Sequence, residues 1–143
     1  MNYNMRKFLY AFTLIELMIV ILIVAILAAF AIPYYRGRVD TAKWSEGKTM
    51  IGSIASAIRT YHADKGPTGP PPTDIVGNGS TALGFLATDL TGTYFTSSDF
   101  SMDVTDMDPL TFTITCTAGG DPDAPDSPTS WTIDQNGIWT SSG

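Results

Sequence analysis

Sixteen consecutive apolar residues, Leu17 to Ile32, constrain this chain more than any other feature. Extended back to Phe12, the segment has 21 residues and one ionisable group, Glu16. As a helix it measures roughly 31 Å at ~1.5 Å per residue, about the thickness of a bilayer hydrocarbon core. In a chain of 143 residues that leaves room for one small domain beside the anchor. A secretory signal peptide is the competing reading, with Arg6 and Lys7 as its basic region and Ala29-Phe30-Ala31 as a small-x-small cleavage site. Two features count against it. A carboxylate sits beside the apolar run, and helical periodicity resumes beyond Pro33 instead of stopping. Loop charge leaves the orientation open, because Arg6 and Lys7 precede the span while Arg36, Arg38, Lys43 and Lys48 follow it.

Charge divides the chain as sharply as hydropathy does. All eight Lys and Arg lie within residues 1–65, against four acids, whereas residues 66–143 hold ten Asp and no base. A head without Lys or Arg cannot neutralise phosphates, so direct nucleic-acid binding by that half is not expected. One cysteine, Cys116, allows no intramolecular disulfide and no Cys-rich zinc site. One histidine, His62, removes histidine-cluster metal sites and most catalytic triads, and no glycine-rich phosphate loop of the required spacing is present. The expectation is a protein that is not an enzyme.

The order Ala11-Phe12-Thr13-Leu14-Ile15-Glu16-Leu17, after a short basic leader and before an apolar stretch ending at Pro33, resembles the N-terminus of type IV pilins and type II secretion pseudopilins. The resemblance covers about 25 residues. It implies cleavage by a prepilin peptidase between Ala11 and Phe12, where the family prefers Gly in place of Ala11, and methylation of the new terminus at Phe12. It also makes Glu16 the fifth mature residue and places the family's helix-kinking proline at Pro33. The implied partners are prepilin peptidase, identical subunits in a helical filament, and an inner-membrane assembly machinery. The implied location is the bacterial inner membrane, single-pass with the head outside the cytoplasm, and then a periplasmic or cell-surface filament. An intramembrane carboxylate is costly and calls for a partner. The Phe12 ammonium created by cleavage is the obvious one, and the alternative is an interfacial Glu16 that only snorkels.

Beyond Pro33 the pattern turns amphipathic. Trp44, Gly47, Ile51, Ile54, Ile58 and Tyr61 recur at spacings of 3, 4, 3, 4 and 3, one stripe of a helix broadened by Ala55 and His62. Arg36, Lys43, Glu46, Lys48, Arg59 and Asp64 mostly fall off the stripe, as for a solvated or subunit-facing surface. Gly47 lies on it, where close approach of a sheet explains the missing side chain. Gly66 supplies a C-terminal cap and Pro67 forbids continuation.

The remainder reads as a small sheet. Pro67 to Thr73 is a stiff extended connector, and segment 80–90 suggests a short helix with Leu83, Leu86 and Leu90 inward. Leu110, Phe112, Ile114 and Cys116 alternate with Thr111, Thr113, Thr115 and Thr117, a strand with a buried thiol on its apolar face. Tyr94-Phe95 and Phe100 to Val104 are candidate neighbours. A hairpin pairs Ser130–Asp134 with Ile138–Ser141 through a bulged turn with Gly137 in the left-handed position, a register that puts Trp131, Ile133 and Trp139 on one face.

The expected fold is α+β, a long N-terminal helix packed on a small antiparallel sheet. Its parts are a leader (1–11), a transmembrane and assembly helix (12–33), an amphipathic helix (34–66) and an acidic head (67–143). Asp121, Asp123 and Asp126 in one loop, and Asp103, Asp106 and Asp108 in another, suit Ca²⁺ as oxygen ligands, and major pseudopilins use such an ion near the C-terminus. A solvated acidic loop is the alternative, since the EF-hand order is absent, and no other cofactor is expected. The function expected is that of a filament subunit, a type IV pilin or a major pseudopilin. The lone cysteine tilts toward the second, because many pilins carry a C-terminal disulfide. The alternative from another class is a membrane-anchored extracytoplasmic binding module that does not polymerise.

Overall fold

The computed structural model describes residues 12–143; the expected leader 1–11, with Arg6, Lys7 and Ala11, lies outside the described residues. The chain divides into two compact units, the first ending at Arg36 and the second running from Gly37 to Gly143. One helix, α1 (Leu14–Lys65), contributes residues to both, and Pro33 lies inside it.

In the first unit nothing from Phe12 to Arg36 is buried, and the large apolar side chains keep between 48% and 77% of their surface. Among the described residues of its unit, a helix apolar on every side finds no partner, and such a surface calls for lipid or other helices. It is long and apolar enough to cross a membrane. Pro33 offers no N–H to the carbonyl four residues back, so one backbone acceptor of this helix is left without its usual bond.

In the second unit α1 becomes one-sided. Trp44, Gly47, Ile51, Ile54, Ala55 and Ile58 are buried, the stripe read from the sequence, and Tyr61 and His62 are half-buried beside it. The far face is short and polar. The hydroxyls of Thr41, Thr49, Ser53, Ser56 and Thr60 donate to the carbonyl four residues earlier at 2.8–3.2 Å, so they need no external acceptor. The helix ends as expected. Gly66 adopts φ 73° and its N–H donates to the His62 carbonyl at 2.8 Å.

The strands that cover the stripe are β1 (Asp74–Val76), β2 (Ala82–Phe85), β3 (Phe100–Met107), β4 (Leu110–Thr117), β5 (Ser130–Asp134) and β6 (Trp139–Ser142). The last four form an antiparallel meander in chain order, while β1 and β2 make a separate parallel pair. β4 is the strand the alternation predicts, with Phe112, Ile114 and Cys116 buried. The core joins these to Trp44, Ile51, Ile54 and Ile58 of the helix, and to Ile75, Leu90, Phe95, Phe100 and Ile133. Gly47 is needed where the sheet side approaches: a Cβ there would meet the Phe95 ring at 3.1 Å and the Cys116 sulfur at 3.4 Å.

Four expectations are corrected. Segment 80–90 is not one helix but β2 followed by a 3-10 turn, Ala87–Leu90, and of its leucines only Leu90 is buried while Leu86 faces solvent. The loop glycines let the chain double back and pair 82–85 with 74–76. Tyr94-Phe95 is not a strand; Phe95 enters the core from a loop and packs its ring 4.9 Å from that of Trp44. The hairpin has the bulged register, with Ile133 opposite Trp139 and Gly137 at φ 79°, but the tryptophans are not buried together: Trp131 is half-buried and Trp139 is exposed. Finally, the charged residues flanking the stripe are not simply solvated. Lys48 Nζ lies 3.4 Å from the Trp131 ring centroid, Lys43 lies over Tyr94, and Arg59 lies over Phe112. Glu46 Oε1 accepts the backbone N–H groups of Tyr94 (2.9 Å) and Phe95 (3.3 Å), clamping their loop to the helix.

Candidate functional site

The feature with chemistry to perform is the start of α1. Thr13 precedes the first helical residue, Leu14, and Glu16 sits in the first turn. The Thr13 N–H and hydroxyl donate to Glu16 Oε2 at 2.9 Å and 2.7 Å, and the Glu16 N–H donates to Thr13 Oγ1 at 3.2 Å. This is a capping box, in which two backbone donors that the first turn leaves without partners are satisfied reciprocally. Thr13-x-x-Glu16 ahead of an apolar run is the sequence signal for it, one that neither the ion-pair nor the snorkelling reading of Glu16 uses.

The cap matters for a carboxylate in this position. A charged group next to bilayer hydrocarbon is expensive unless hydrogen-bonded or paired. Thr13 supplies two donors, and the helix N-terminus supplies favourable partial charge. All the cap bonds to the carboxylate use Oε2, so Oε1 lies outside the cap. Phe12, 76% exposed, stands one residue before Thr13 and four before Glu16. An ammonium at Phe12 is therefore within one helical turn of the carboxylate. Ala11, on the other side of the expected cleavage point, lies outside the described residues. Pro33 is exposed, within the helix at the far end of the apolar segment, followed by exposed Tyr34, Tyr35 and Arg36.

The remaining candidates are structural. His62 Nε2 donates to the Met107 carbonyl at 2.9 Å, which ties the end of the helix to β3. Burial removes all exposure from Cys116 and pushes its thiol up to about 12, with Asp99 adding to the shift, so the thiolate is not accessible near neutrality. In the acidic loops the carboxylates hydrogen-bond within their own turns. Asp121 Oδ1 takes the Asp123 N–H at 2.7 Å, and Asp106 Oδ1 takes the Asp108 N–H at 2.9 Å, so each braces its own turn. Among the described residues no three carboxylate, imidazole or thiol groups converge as a metal would require.

Comparison with known proteins places this segment. Residues 10–32 match the family model described as "Prokaryotic N-terminal methylation motif". Among curated proteins, the chain is similar to a "Fimbrial protein" of Dichelobacter nodosus, 40% identical over 63% of this chain and 58% of the relative. It is also similar to a "Type IV major fimbrial protein FimA" of the same organism, 42% identical over 52% of this chain and 48% of the relative. "Fimbrial protein EcpC" of Eikenella corrodens is 49% identical over 38% of this chain and 36% of the relative. The matched region thus spans about half the length of these curated relatives. No solved structure matches the chain. The chain thus carries the prokaryotic N-terminal methylation motif at the head of an all-round apolar helix, and it is similar over about half its length to type IV fimbrial proteins.

Proposed function

We propose that the protein is a structural, non-catalytic subunit of a pilin-type filament. The observation that carries this reading is the first unit of the molecule: a helix headed by the methylation motif whose apolar side chains are exposed on every side. Such a surface is stable in a bilayer, and it is equally stable among copies of itself. The precursor is held in the membrane by this helix, prepilin peptidase cuts between Ala11 and Phe12, and Phe12 is methylated on its new amino group. Subunits then leave the bilayer and pack helix against helix.

Glu16 is the only acid between Phe12 and Asp40. Moving the Phe12 ammonium into an apolar filament core is costly unless an acid neutralises it. Glu16 Oε1, outside the Thr13 cap, is the acceptor for it, either in the same subunit or in a neighbour. The curated relatives are named as fimbrial proteins, which supports a pilus over a secretion pseudopilus, against the tilt given by the lone cysteine. The inner-membrane location and the assembly machinery are part of this reading. Terminal sequencing of membrane-derived protein tests it: the expected first residue is N-methylated Phe12. A terminus at Ile32 would show an ordinary signal peptide and end the proposal.

A further inference from the structure

Just beyond the apolar span the aliphatic run gives way to three consecutive residues of another chemistry, Tyr34, Tyr35 and Arg36. The tyrosines are 67% and 69% exposed and Arg36 is exposed as well. Consecutive helical residues step about 100° around the axis, so the three side chains take up more than half of the circumference. From Leu14 to Pro33 the helix rises roughly 28 Å at ~1.5 Å per residue, which sets these residues near the far boundary of a hydrocarbon core when the start of the helix lies at the near one. Tyrosine, with an apolar ring and a polar hydroxyl, favours that depth. A guanidinium matches phosphate oxygens in a two-bond fork. A basic residue on the non-cytoplasmic side also runs against the usual charge asymmetry of membrane proteins, and lipid phosphate is the counter-charge at hand.

We propose that Tyr34, Tyr35 and Arg36 form a collar that docks on the phospholipid headgroups of the leaflet facing the head, and so fixes how deeply the span sits before assembly. The proposal rests on the membrane-anchored reading above. Pro33 marks the helix but brings neither an amphipathic ring nor a charge to the interface. With leucine at all three positions the apolar run would lengthen by three residues, and the helix would slide inward or tilt to bury them.

The test uses the full chain in vesicles of phosphatidylethanolamine and phosphatidylglycerol. Single cysteines introduced as Ile32→Cys, Gly37→Cys or Thr41→Cys are labelled with a membrane-impermeant maleimide; native Cys116 is fully buried and contributes no background. The expected profile is a silent Ile32→Cys with reactive Gly37→Cys and Thr41→Cys. Combining Tyr34→Leu, Tyr35→Leu and Arg36→Leu should lower labelling of Gly37→Cys severalfold while Thr41→Cys stays reactive. Tyr34→Trp, Tyr35→Trp and Arg36→Lys together should restore the original profile, because a lipid interface accepts any amphipathic ring and any cation. An unchanged profile in the leucine variant overturns the collar, and so does failure of the Trp and Lys variant to restore it. Lower filament yield with an unchanged labelling profile assigns the three residues to contacts between subunits, which also overturns lipid docking. Carbonate extraction reports separately on the anchor: release of the unmodified chain from the vesicles refutes the anchored reading and the collar with it.

Discussion

The two parts of α1 are equally helical and both contain isoleucine, yet Ile19 and Ile23 keep about half of their surface while Ile51, Ile54 and Ile58 keep none. The difference is periodicity. After Gly37 the apolar residues recur every three or four positions, so one face buries itself against strands of the same chain, and the other face carries hydroxyls satisfied by their own helix. Before Gly37 the apolar residues surround the axis, and no single sheet can cover them. Helix propensity does not distinguish these cases. What distinguishes them is whether the partner of the apolar surface is encoded in this chain or must come from outside it.

The most drastic way to test that division is through the one carboxylate in the externally partnered part. Glu16→Ala removes both the charge and the capping box, whereas Glu16→Gln keeps an acceptor for the Thr13 N–H and removes only the charge. Both variants are expected to insert and to be cleaved, yet to yield few or no sheared filaments in cells that carry the assembly machinery. Normal filament yield with Glu16→Gln and loss with Glu16→Ala would assign the role to the cap rather than to neutralisation of Phe12. Loss of cleavage would move the role upstream, to the peptidase.

Next in size is a paired truncation. Phe112→Ala empties a core site that is 1% exposed and should cost the head about 3–5 kcal/mol. Phe30→Ala removes the same ring from a residue that is 76% exposed and should leave the melting temperature of the head unchanged, measured on the full chain in detergent. Equal effects of the two would mean that the first unit contributes to the stability of the second.

Which parts of this arrangement the sequence reveals follows from how local their causes are. Strand β4 rests on strict alternation, the end of α1 on Gly66-Pro67, and the hairpin register on Gly137 and two tryptophans; each is decided within a few residues, and each is where it was expected. The stripe of α1 is legible for the same reason. The parallel β1–β2 pair is not, because β1 is three residues long and is held by pairing across a loop rather than by its own pattern. The Glu46 clamp on Tyr94 and Phe95 joins residues nearly fifty positions apart, and a charge next to an apolar stripe reads as solvated until the loop it holds is known. The same applies to Lys48, whose ammonium rests on an aromatic ring rather than on a carboxylate. At the candidate site the motif residues Phe12 and Glu16 were legible through their order. The Thr13 cap is equally local, carried by Thr13-x-x-Glu16, but a carboxylate beside an apolar run draws attention to its charge partner before its backbone donors.

A smaller effect, opposite in sign between two neighbours, sharpens the packing argument. Gly47 and Gly52 lie on α1 five residues apart, and each carries the entropic cost of glycine in a helix. A Cβ at Gly52 would meet nothing within 4 Å, so Gly52→Ala should stabilise the head by about 1 kcal/mol. At Gly47 the added carbon would press on Phe95, a ring that is 1% exposed and wedged against Trp44 and Phe100, so it has little room to yield. Gly47→Ala should therefore gain nothing or lose stability, and Gly47→Val should clearly destabilise. Thermal melts of the three variants decide the matter, and a stabilised Gly47→Ala would mean that the helix can move away from the sheet.

The smallest expected effect is a pH dependence at the β5–β6 turn, where the charge sits on a half-buried residue at the end of β5. Asp134 Oδ1 accepts the N–H groups of Ile138 and Asn136, both at 2.9 Å, and Oδ2 accepts the Asn136 side-chain amide at 3.4 Å. The bond from Ile138 is the main reason that the carboxyl is held below its ordinary value of 3.8, with the Asn136 and Gly137 donors adding to it. A depressed folded-state pKa means that the unfolded chain binds its proton first as the pH falls. The stability contributed by Asp134 is therefore complete above its ordinary value and is lost as the pH drops through the lower, folded-state value. Asp134→Asn keeps the shape of the turn and removes the titration. The difference in melting temperature between the parent chain and Asp134→Asn should be constant near neutrality and shrink as acid protonates Asp134. A difference that stays the same down through the carboxylate range would show that the turn is held by Gly137 and the strand register alone, with no contribution from the charge.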